Sequence, residues 1–351
     1  MSSGTRPEVV HPRNRPNSIG LVERDYEGAM STLCAGCGHD SVTASLIRAM
    51  YELAIPPHRV AKLSGIGCSS KTPTYFMPGA HGLNGLHGRM PSIATGADAA
   101  NRELYCIGVS GDGDSLSIGL GQFMHAARRN VNMLYIIENN GVYGLTKGQF
   151  SASADVGSKL KKGENNPFIP VDPVLLAIDL GAGFVARSFS GDKEQLIPLL
   201  KAGLHYPGFA FIDVISPCVT FNDHETSTKS YLHIRESDHE ALHIDLVKKA
   251  DAISAEYGRG ETTTITMHDG TPLVFSKRGE SYDPTDPVRA HAYVREHHRV
   301  GQIATGLLYF DDSKIDMHGH AGTTQTPLVD IPFEELCPGS AALVEFQRLL
   351  R

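Results

Sequence analysis

Residues 104–140 read LYCIGVSGDGDSLSIGLGQFMHAARRNVNMLYIIENN, and this stretch decides the fold. It contains two continuous apolar runs of strand length, Leu104–Val109 and Met133–Ile137, on either side of a segment that we interpret as a helix, Ser117–Arg129. Unbroken apolar strands that alternate with helices are typical of parallel strands in a sheet covered on both faces. The stretch therefore predicts a parallel strand pair with its crossover helix.

The same alternation of strands and helices extends on either side of this stretch. We expect Asp40 to cap the first helix, which ends before Pro56-Pro57. Further strands are predicted at Val60–Leu63, Phe184–Phe189 and Phe209–Ile215, two strands or a hairpin at Thr262–Phe275, and further helices at Ser92–Asn101, Asp172–Leu180, Asp192–Leu204 and Glu240–Tyr257. The pattern predicts an α/β fold with a doubly wound, mainly parallel sheet and a smaller C-terminal extension.

The composition is ordinary for a globular chain and argues against several classes of function. The 351 residues are 41% hydrophobic and 20% charged, and a net charge of −7 gives no reason to expect nucleic acid. No apolar run reaches the roughly 18 to 20 residues of a membrane helix, and residues 1–17 lack the apolar stretch of a secretory signal. We therefore expect a cytoplasmic protein with no membrane partner, whose six cysteines bind metal or are buried rather than form disulfides.

Polar residues follow both apolar strands of the opening stretch, in a pattern that suits a diphosphate. Asp112 stands between Gly111 and Gly113 after the first strand, and Asn140 follows the second strand. Because the carboxyl ends of neighbouring parallel strands meet at one edge, we expect both side chains to lie close together. A carboxylate, an amide, the carbonyl of Val142 and phosphate oxygens form a reasonable octahedral set for Mg²⁺. The alternatives are a plain turn with an Asx-capped loop, and a dinucleotide fold, for which the expected Gly-x-Gly-x-x-Gly is missing.

Four of the six cysteines form a second candidate site. Cys34 and Cys37 are a Cys-x-x-Cys pair, whereas Cys68 and Cys218 are isolated and each follows a predicted strand. This set indicates a soft metal or an iron–sulfur cluster, since zinc sites usually contain two such pairs. Zinc binding, a redox-active pair and an unoccupied set stay open on this pattern alone. The other two cysteines are interpreted as a core residue and as a residue without a role, Cys106 and Cys337.

Together these motifs resemble a known family. Gly111-Asp112-Gly113 with Asn139-Asn140 is similar to the thiamine-diphosphate signature. The string NGVYGLTKGQ at 140–149, taken with the cysteine pair and with His87-Gly88-Arg89, resembles the β subunit of the 2-oxoacid:ferredoxin oxidoreductases. The resemblance covers about residues 30–235, and the segment Thr220–Tyr231 favours the 2-oxoglutarate branch, 2-oxoglutarate synthase.

The resemblance implies a domain plan and three cofactors: thiamine diphosphate, Mg²⁺ and a [4Fe-4S] cluster. Residues 30–217 would form the thiamine-diphosphate-binding (PP-type) domain, after an N-terminal extension at 1–29. A C-terminal region typical of these β subunits would follow at 218–290, and then a tail at 291–351 that contacts a partner. The implied ligands of Mg²⁺ are Asp112, Asn140 and the Val142 carbonyl. Those of the cluster are Cys34, Cys37, Cys68 and Cys218. Contacts to thiamine diphosphate are expected from Gly67, Ser69, His87, Gly113, Asp114, Gly144 and Leu145.

The resemblance also implies a reaction and partners. The reaction is the reversible, CoA-dependent oxidative decarboxylation of 2-oxoglutarate to succinyl-CoA and CO₂, with electrons passed to ferredoxin. An α subunit is expected to complete the site in an (αβ)₂ heterotetramer. Lys71, Leu145 and Lys147 are hypothesised to contact the 2-oxoacid, and the loop Gly65–Lys71 to touch both cofactors. The alternatives are pyruvate or broad 2-oxoacid specificity, a non-redox thiamine-diphosphate decarboxylase or synthase, and a small electron carrier or zinc-stabilised binding module.

Overall fold

The computed structural model describes residues 14–158, 164–221, 257–266, 272–279 and 282–350. The helix predicted at Glu240–Tyr257 lies outside the described residues except for its last residue, and so does most of the segment Thr220–Tyr231.

The described chain alternates strands and helices, as the sequence predicts. The strands are β1 Val60–Ser64, β2 His81–Asn84, β3 Tyr105–Gly111, β4 Met133–Asn139, β5 Val142–Tyr143, β6 Gln149–Phe150, β7 Phe184–Phe189, β8 Phe209–Ile215, β9 Thr262–Thr266, β10 Pro272–Lys277 and β11 Ile303–Phe310. The α-helices are α1 Gly38–Glu52, α2 Met90–Ala100, α3 Leu120–Arg128, α4 Pro173–Asp179, α5 Lys193–His205, α6 Pro287–Arg299, α7 Met317–Ala321, α8 Phe333–Leu336 and α9 Gly339–Leu349.

The main sheet has the strand order β2-β1-β3-β4-β8-β7-β11-β10-β9. The six strands from β2 to β7 are mutually parallel, whereas β11 is antiparallel to β7 and β9 is antiparallel to β10. The predicted α/β class with a mainly parallel sheet is therefore confirmed. The two strands predicted within Thr262–Phe275 are also confirmed, as the antiparallel pair β9 and β10.

The order of the strands creates a crevice at one edge of the sheet. From β1 the chain crosses to β2 on one side, and from β3 it crosses to β4 on the other. In open α/β sheets a ligand binds outside the carboxyl ends of the strands at such a reversal. The loops after β1 and β3 meet at this point.

The core consists of two apolar layers, one on each face of the sheet. Along β4 the side chains of Tyr135 and Ile137 enter one layer and those of Leu134 and Ile136 enter the other, as the two-residue period of a strand requires. Helices α2, α3, α4 and α6 cover the first layer, and α1 and α5 cover the second. A strand covered on both faces must be apolar throughout, which explains the unbroken runs in the sequence.

Helix α1 begins earlier than the sequence predicts. Cys37 is its N-cap, and Asp40 lies in its first turn, so the prediction that Asp40 caps the helix is wrong. Gly38 can start the helix against the end of β8, because a Cβ at this position would lie only 2.6 Å from Ser216 Oγ. A carboxylate in the first turn still stabilises the helix through its dipole.

Four strands have no counterpart in the sequence prediction, and two of them, β5 and β6, form a short antiparallel pair after β4. The strand β2 is an exposed edge strand whose residues lack an apolar pattern. The strand β11 joins the C-terminal part of the molecule to the main sheet between β7 and β10. Among the described residues, no helix combines the length and apolar character that a membrane span requires.

The buried guanidinium of Arg187 holds two carboxylates together next to the main sheet. Arg187 on β7 binds Asp213 on β8 at 2.7 Å and Asp172, the N-cap of α4, at 2.8 Å. Burial raises the pKa of Asp172, but the charges of Arg187 and His298 outweigh it and hold that pKa well below its usual range. Removing the cation would leave the buried Asp213 carboxylate without its counter-charge and would take from Asp172 one of its two partners.

We therefore predict that Arg187→Met lowers the free energy of unfolding by about 3–5 kcal/mol, the usual cost of breaking a buried ion pair from one side. Urea unfolding at equal cofactor loading measures it. Arg299→Met is the matched control, since Arg299 is exposed and, among the described residues, its ion pair is with Glu296 on the same helix; its effect should stay within about 0.5 kcal/mol. Equal unfolding midpoints for the two variants would contradict the prediction.

Candidate functional site

A cleft opens at the carboxyl ends of β1, β3 and β4, and residues from four predicted motifs line it together. They are Gly67–Ser69 after β1, His87, Gly111–Asp114 at the end of β3, and Asn140 with the segment Val142–Thr146 after β4. The structure thus brings together the residues that the sequence assigned to a diphosphate. Proximity follows from the parallel strands, since all these loops leave the same edge.

Asp112 is buried, and its carboxylate is held by two serines. Ser151 donates to its Oδ2, and Ser153 Oγ lies 2.6 Å from the same oxygen. The second carboxylate oxygen, Oδ1, lies 3.5 Å from the backbone N–H of Asn140. The sequence analysis missed both serines, although their alternate positions after β6 were a possible signal.

The two neighbouring asparagines have different tasks. The Asn139 amide donates to Asp213 at 3.0 Å, and its carbonyl oxygen lies 3.0 Å from Ser153 Oγ, so its side chain faces the interior. The Asn140 side chain belongs to the cleft, and its Oδ1 accepts from the backbone N–H of Val142 at 3.1 Å. Asp112, Asn140 and Val142 therefore line one cleft, and a set of carboxylate, amide and carbonyl oxygens suits Mg²⁺.

Gly113 and Tyr143 define the floor of the cleft. The Tyr143 hydroxyl donates to the Gly113 carbonyl at 2.7 Å. A Cβ at residue 113 would lie 2.5 Å from the Tyr143 ring, so only glycine allows this approach. Residues Gly113–Ile118 form a π-helical turn that leads into α3, in place of the first part of the predicted helix Ser117–Arg129.

Asp114 joins the His87-Gly88-Arg89 loop to β3. Its Oδ1 accepts from the Gly88 N–H at 2.8 Å, and its Oδ2 accepts from the Ser110 hydroxyl at 2.8 Å. Both carboxylate oxygens thus have protein partners, although the residue lines the cleft. The predicted contact of Asp114 with the diphosphate stays a prediction, and the shown task of this carboxylate is to fix the loop that carries His87.

The four predicted cysteine ligands come together next to this cleft. A Cβ built on Gly144 would lie 3.4 Å from Cys68 Sγ and 3.6 Å from Cys218 Sγ. Thr220, two residues after Cys218, donates to Cys34 Sγ at 3.3 Å. Cys37 follows Cys34 in a tight turn, in which the Cys37 N–H donates to the Cys34 carbonyl at 3.0 Å. Three distant segments of the chain therefore place their thiols in one region.

The thiols also influence one another electrostatically. Burial raises the pKa of Cys37, Cys68 and Cys218, and neighbouring thiols raise it further: Cys218 acts on the first two, and Cys34 acts on Cys68 and Cys218. Within the described ranges, no three His, Cys, Asp or Glu side chains stand at the spacing that a single metal ion requires. The cysteines share a neighbourhood without forming a mononuclear site. Cys106 is buried in β3, as predicted, and Cys337 is exposed.

Glu138 and His39 are cleft residues that the sequence analysis missed. Both are almost completely buried, and His39 Nδ1 lies 3.6 Å from Glu138 Oε2. Burial raises the pKa of Glu138 well above its usual value and lowers that of His39 to about 4. A carboxyl residue at the end of an apolar strand, directly before Asn139-Asn140, was the signal that could have identified Glu138.

The three predicted substrate residues differ in their position relative to the cleft. Leu145 lines it and is half exposed, whereas Lys71 and Lys147 are not among its lining residues. Lys147 has a positive φ of 78°. It lies in a turn in which its own N–H donates to the Gly144 carbonyl at 3.1 Å. A non-glycine residue in this conformation is uncommon and strained, so the turn sets the direction of the lysine.

Comparison with known sequences matches this cleft to a cofactor domain. Residues 65–214 match the family described as "Thiamine pyrophosphate enzyme, C-terminal TPP binding domain". The chain is 42% identical over 281 residues to 2-oxoacid:ferredoxin oxidoreductase 1, subunit beta, of Aeropyrum pernix, a match of 76% of this chain and 88% of that protein. It is 34% identical over 248 residues to the 2-oxoglutarate oxidoreductase subunit KorB of Mycobacterium tuberculosis, a match of 70% of this chain and 59% of that protein.

A solved structure has the same overall fold. It is the 2-oxoglutarate:ferredoxin oxidoreductase from Magnetococcus marinus with 2-oxoglutarate, coenzyme A and succinyl-CoA bound. One of its chains superposes with a TM-score of 0.72 at 27% identity, covering 98% of this chain and all of that one. The fold predicted from the sequence is thus confirmed both by the strand order and by a related structure.

We predict that Gly113→Ala weakens thiamine-diphosphate binding, measured by titration calorimetry with Mg²⁺ present. The new methyl group would displace the Tyr143 ring, and overpacking of this kind costs about 1–3 kcal/mol, which corresponds to about 5- to 150-fold in Kd. Gly96→Ala is the control, since a Cβ at this helical position meets no atom within 4 Å. An unchanged Kd in Gly113→Ala would show that the cofactor does not use the floor of this cleft.

Proposed function

The chain belongs to the family of 2-oxoacid:ferredoxin oxidoreductase β subunits, and we propose that it serves a 2-oxoglutarate:ferredoxin oxidoreductase. This enzyme would convert 2-oxoglutarate, CoA and oxidised ferredoxin to succinyl-CoA, CO₂ and reduced ferredoxin. One observation carries the proposal: Gly144, two residues after the candidate Mg²⁺ ligand Val142, lies against the sulfurs of Cys68 and Cys218. A diphosphate cleft and a thiol cluster therefore touch within one chain.

The cleft fits thiamine diphosphate held through Mg²⁺. The Asp112 carboxylate, the Asn140 amide oxygen and the Val142 carbonyl would bind the ion, and the serines on Asp112 already orient that carboxylate. Ser69, Gly113 and His87 line the same cleft and would face the diphosphate. When bound, thiamine diphosphate supplies the carbanion chemistry that decarboxylation of a 2-oxoacid needs. The task of the chain is to bind it and to exclude water around it.

The thiols fit a [4Fe-4S] cluster better than a single metal ion. Each thiolate of such a cluster binds a different iron, so the four sulfurs stand further apart than those around one ion. The proposal is supported by thiols from three distant segments of the chain, since Cys68 and Cys218 both lie beside Gly144 and Thr220 binds Cys34. Cys34, Cys37, Cys68 and Cys218 would be the ligands.

One loop would connect the two cofactors. Cys68 contacts the thiol region, while the next residue, Ser69, is buried beside Gly111. We propose that Gly65–Lys71 is this bridge and that electrons released at the cleft reach the cluster through it. A short path matters because the cluster accepts electrons one at a time.

The substrate and partner assignments complete the proposal. Lys71 and Lys147 would attract the second carboxylate of 2-oxoglutarate, with Leu145 between the mouth and the cofactor. An α subunit would complete the active site, in an (αβ)₂ assembly that uses CoA and ferredoxin. Within the predicted tail at 291–351, α6 and β11 pack into the main sheet, whereas the part after β11, which exposes Phe333, Leu343 and Phe346, would contact a partner. The free thiols of the chain suit the cytoplasm, where we place the complex.

The activity of the co-purified α/β complex tests the proposal. With CoA and ferredoxin, we expect reduction of ferredoxin with 2-oxoglutarate and a much lower kcat/KM with pyruvate, and no turnover by this chain alone. Lys147→Ala should raise the KM for 2-oxoglutarate by about tenfold or more and leave pyruvate unaffected, because it removes a charge-assisted contact. Lys193→Ala, an exposed lysine of α5, is the control. Preference for pyruvate, or turnover by the isolated chain, would contradict the proposal.

A second prediction concerns the cluster. The complex should absorb broadly in the visible range and bleach with dithionite, and Cys68→Ser should lose iron and the power to reduce ferredoxin, because a ligand is missing. Iron content per chain and visible spectra measure this. Cys337→Ser, at an exposed cysteine of the tail, should keep full iron content. Full iron content and full activity in Cys68→Ser would remove Cys68 from the cluster.

A further inference from the structure

Four buried polar side chains form a network at the cleft, and two of them, Glu138 and His39, line it. The Thr72 hydroxyl lies 3.0 and 3.1 Å from the two carboxyl oxygens of Glu138. His39 Nδ1 lies 3.6 Å from Glu138 Oε2 and 2.6 Å from Ser216 Oγ. All four residues are less than 9% exposed, so water does not replace these contacts. Glu138 is the member that reaches from β4 towards the other segments.

Each partner in this network comes from a segment that carries a cysteine. Thr72 lies four residues after Cys68, His39 two residues after Cys37, and Ser216 two residues before Cys218. Glu138 itself lies two residues before Asn140 and is paired in register with Gly111, the residue before Asp112. One carboxyl group thus connects all three thiol-bearing segments to the two strands that carry the candidate Mg²⁺ ligands.

We propose that Glu138 is a positioning residue that fixes the distance between the cluster thiols and the thiamine-diphosphate cleft. The inference deepens the proposed function and rests on it. Glu138 acts through His39 and Thr72, which anchor the segments of Cys37 and Cys68. Ser216 extends the network to the segment of Cys218. In this way a single side chain sets the gap that electrons must cross.

A purely structural role explains the residue poorly. Position 138 follows five buried residues of β4 without a charge, and an apolar side chain of similar size would avoid the cost of burying a carboxyl group. The network also faces the cleft, since both Glu138 and His39 line it. Close packing supports the link to Cys218, because the helix start at Gly38 lies against Ser216 and its N–H donates to the Pro217 carbonyl at 3.4 Å.

The test uses the α/β complex with Glu138→Ala, Glu138→Gln and Thr72→Val. The readouts are the iron content per chain, the electron paramagnetic resonance spectrum of the reduced cluster, and the single-turnover rate of cluster reduction by 2-oxoglutarate and CoA without ferredoxin. Outer residues that orient metal ligands typically contribute about 10- to 100-fold. We therefore expect Glu138→Ala to slow cluster reduction by about 10- to 100-fold and to change the resonance spectrum. Glu138→Gln should recover most of the rate, since its amide oxygen accepts from Thr72.

Asp98→Ala is the matched control. Asp98 is another fully buried carboxylate that pairs with a histidine, His318 at 3.1 Å, but it lies on α2 and holds α7, which follows β11. It should lower the thermal midpoint and leave the spectrum and the single-turnover rate unchanged. This separates a loss of stability from a loss of positioning.

Each outcome decides the inference. Loss of iron from a folded Glu138→Ala complex, or slow reduction at full iron content, supports it; a wild-type spectrum with a wild-type rate overturns it. If Glu138→Ala does not fold, Thr72→Val decides in the same way, because it removes the hydroxyl and keeps the shape. A wild-type complex without iron would instead overturn the proposed function, and the inference with it.

Discussion

The parallel alignment of β1, β3, β4 and β8 is the constraint on which the site depends. Since these strands end at the same edge of one sheet, the residues that follow them must meet, however far apart they are in the chain. Cys68, Asp112, Asn140 and Cys218 each follow one of these strands. If any one of these four strands ran in the opposite direction, the residue that follows it would lie at the opposite edge of the sheet.

The alignment concentrates polar groups in the interior, and each of them needs a partner there. Asp112 is held by two serines, Asp114 by Gly88 and Ser110, and Glu138 by Thr72. These bonds have a second effect, because a carboxylate whose position is already set loses little entropy when a ligand arrives. The same contacts that make burial tolerable also preorganise the cleft.

Prediction from the sequence succeeded where one local rule acted without competition. The strands Phe184–Phe189 and Phe209–Ile215 have the predicted bounds because their apolar runs end at clear turn signals. Asp172 caps α4 as the Asp-Pro pair suggests. The prediction failed at Asp40, where contact with the end of β8 extends the helix towards Cys37. The sequence analysis also treated Asn139 and Asn140 as one pair. Successive side chains at the end of a strand point to opposite sides, so that of Asn139 enters the interior and that of Asn140 enters the cleft.

The sequence by itself determined the class of the fold, the kind of ligand and the set of residues that could bind it, because apolar periodicity and motif spacing are local properties. Only the tertiary structure decided how these residues divide the work. Whether a carboxylate is available to a ligand depends on which neighbours already bind it, and Asp112 and Asp114 have different neighbours. The role of Glu138 is of the same kind: its partners Thr72 and His39 lie 66 and 99 positions away in the chain, and only the packed sheet brings them into contact with it.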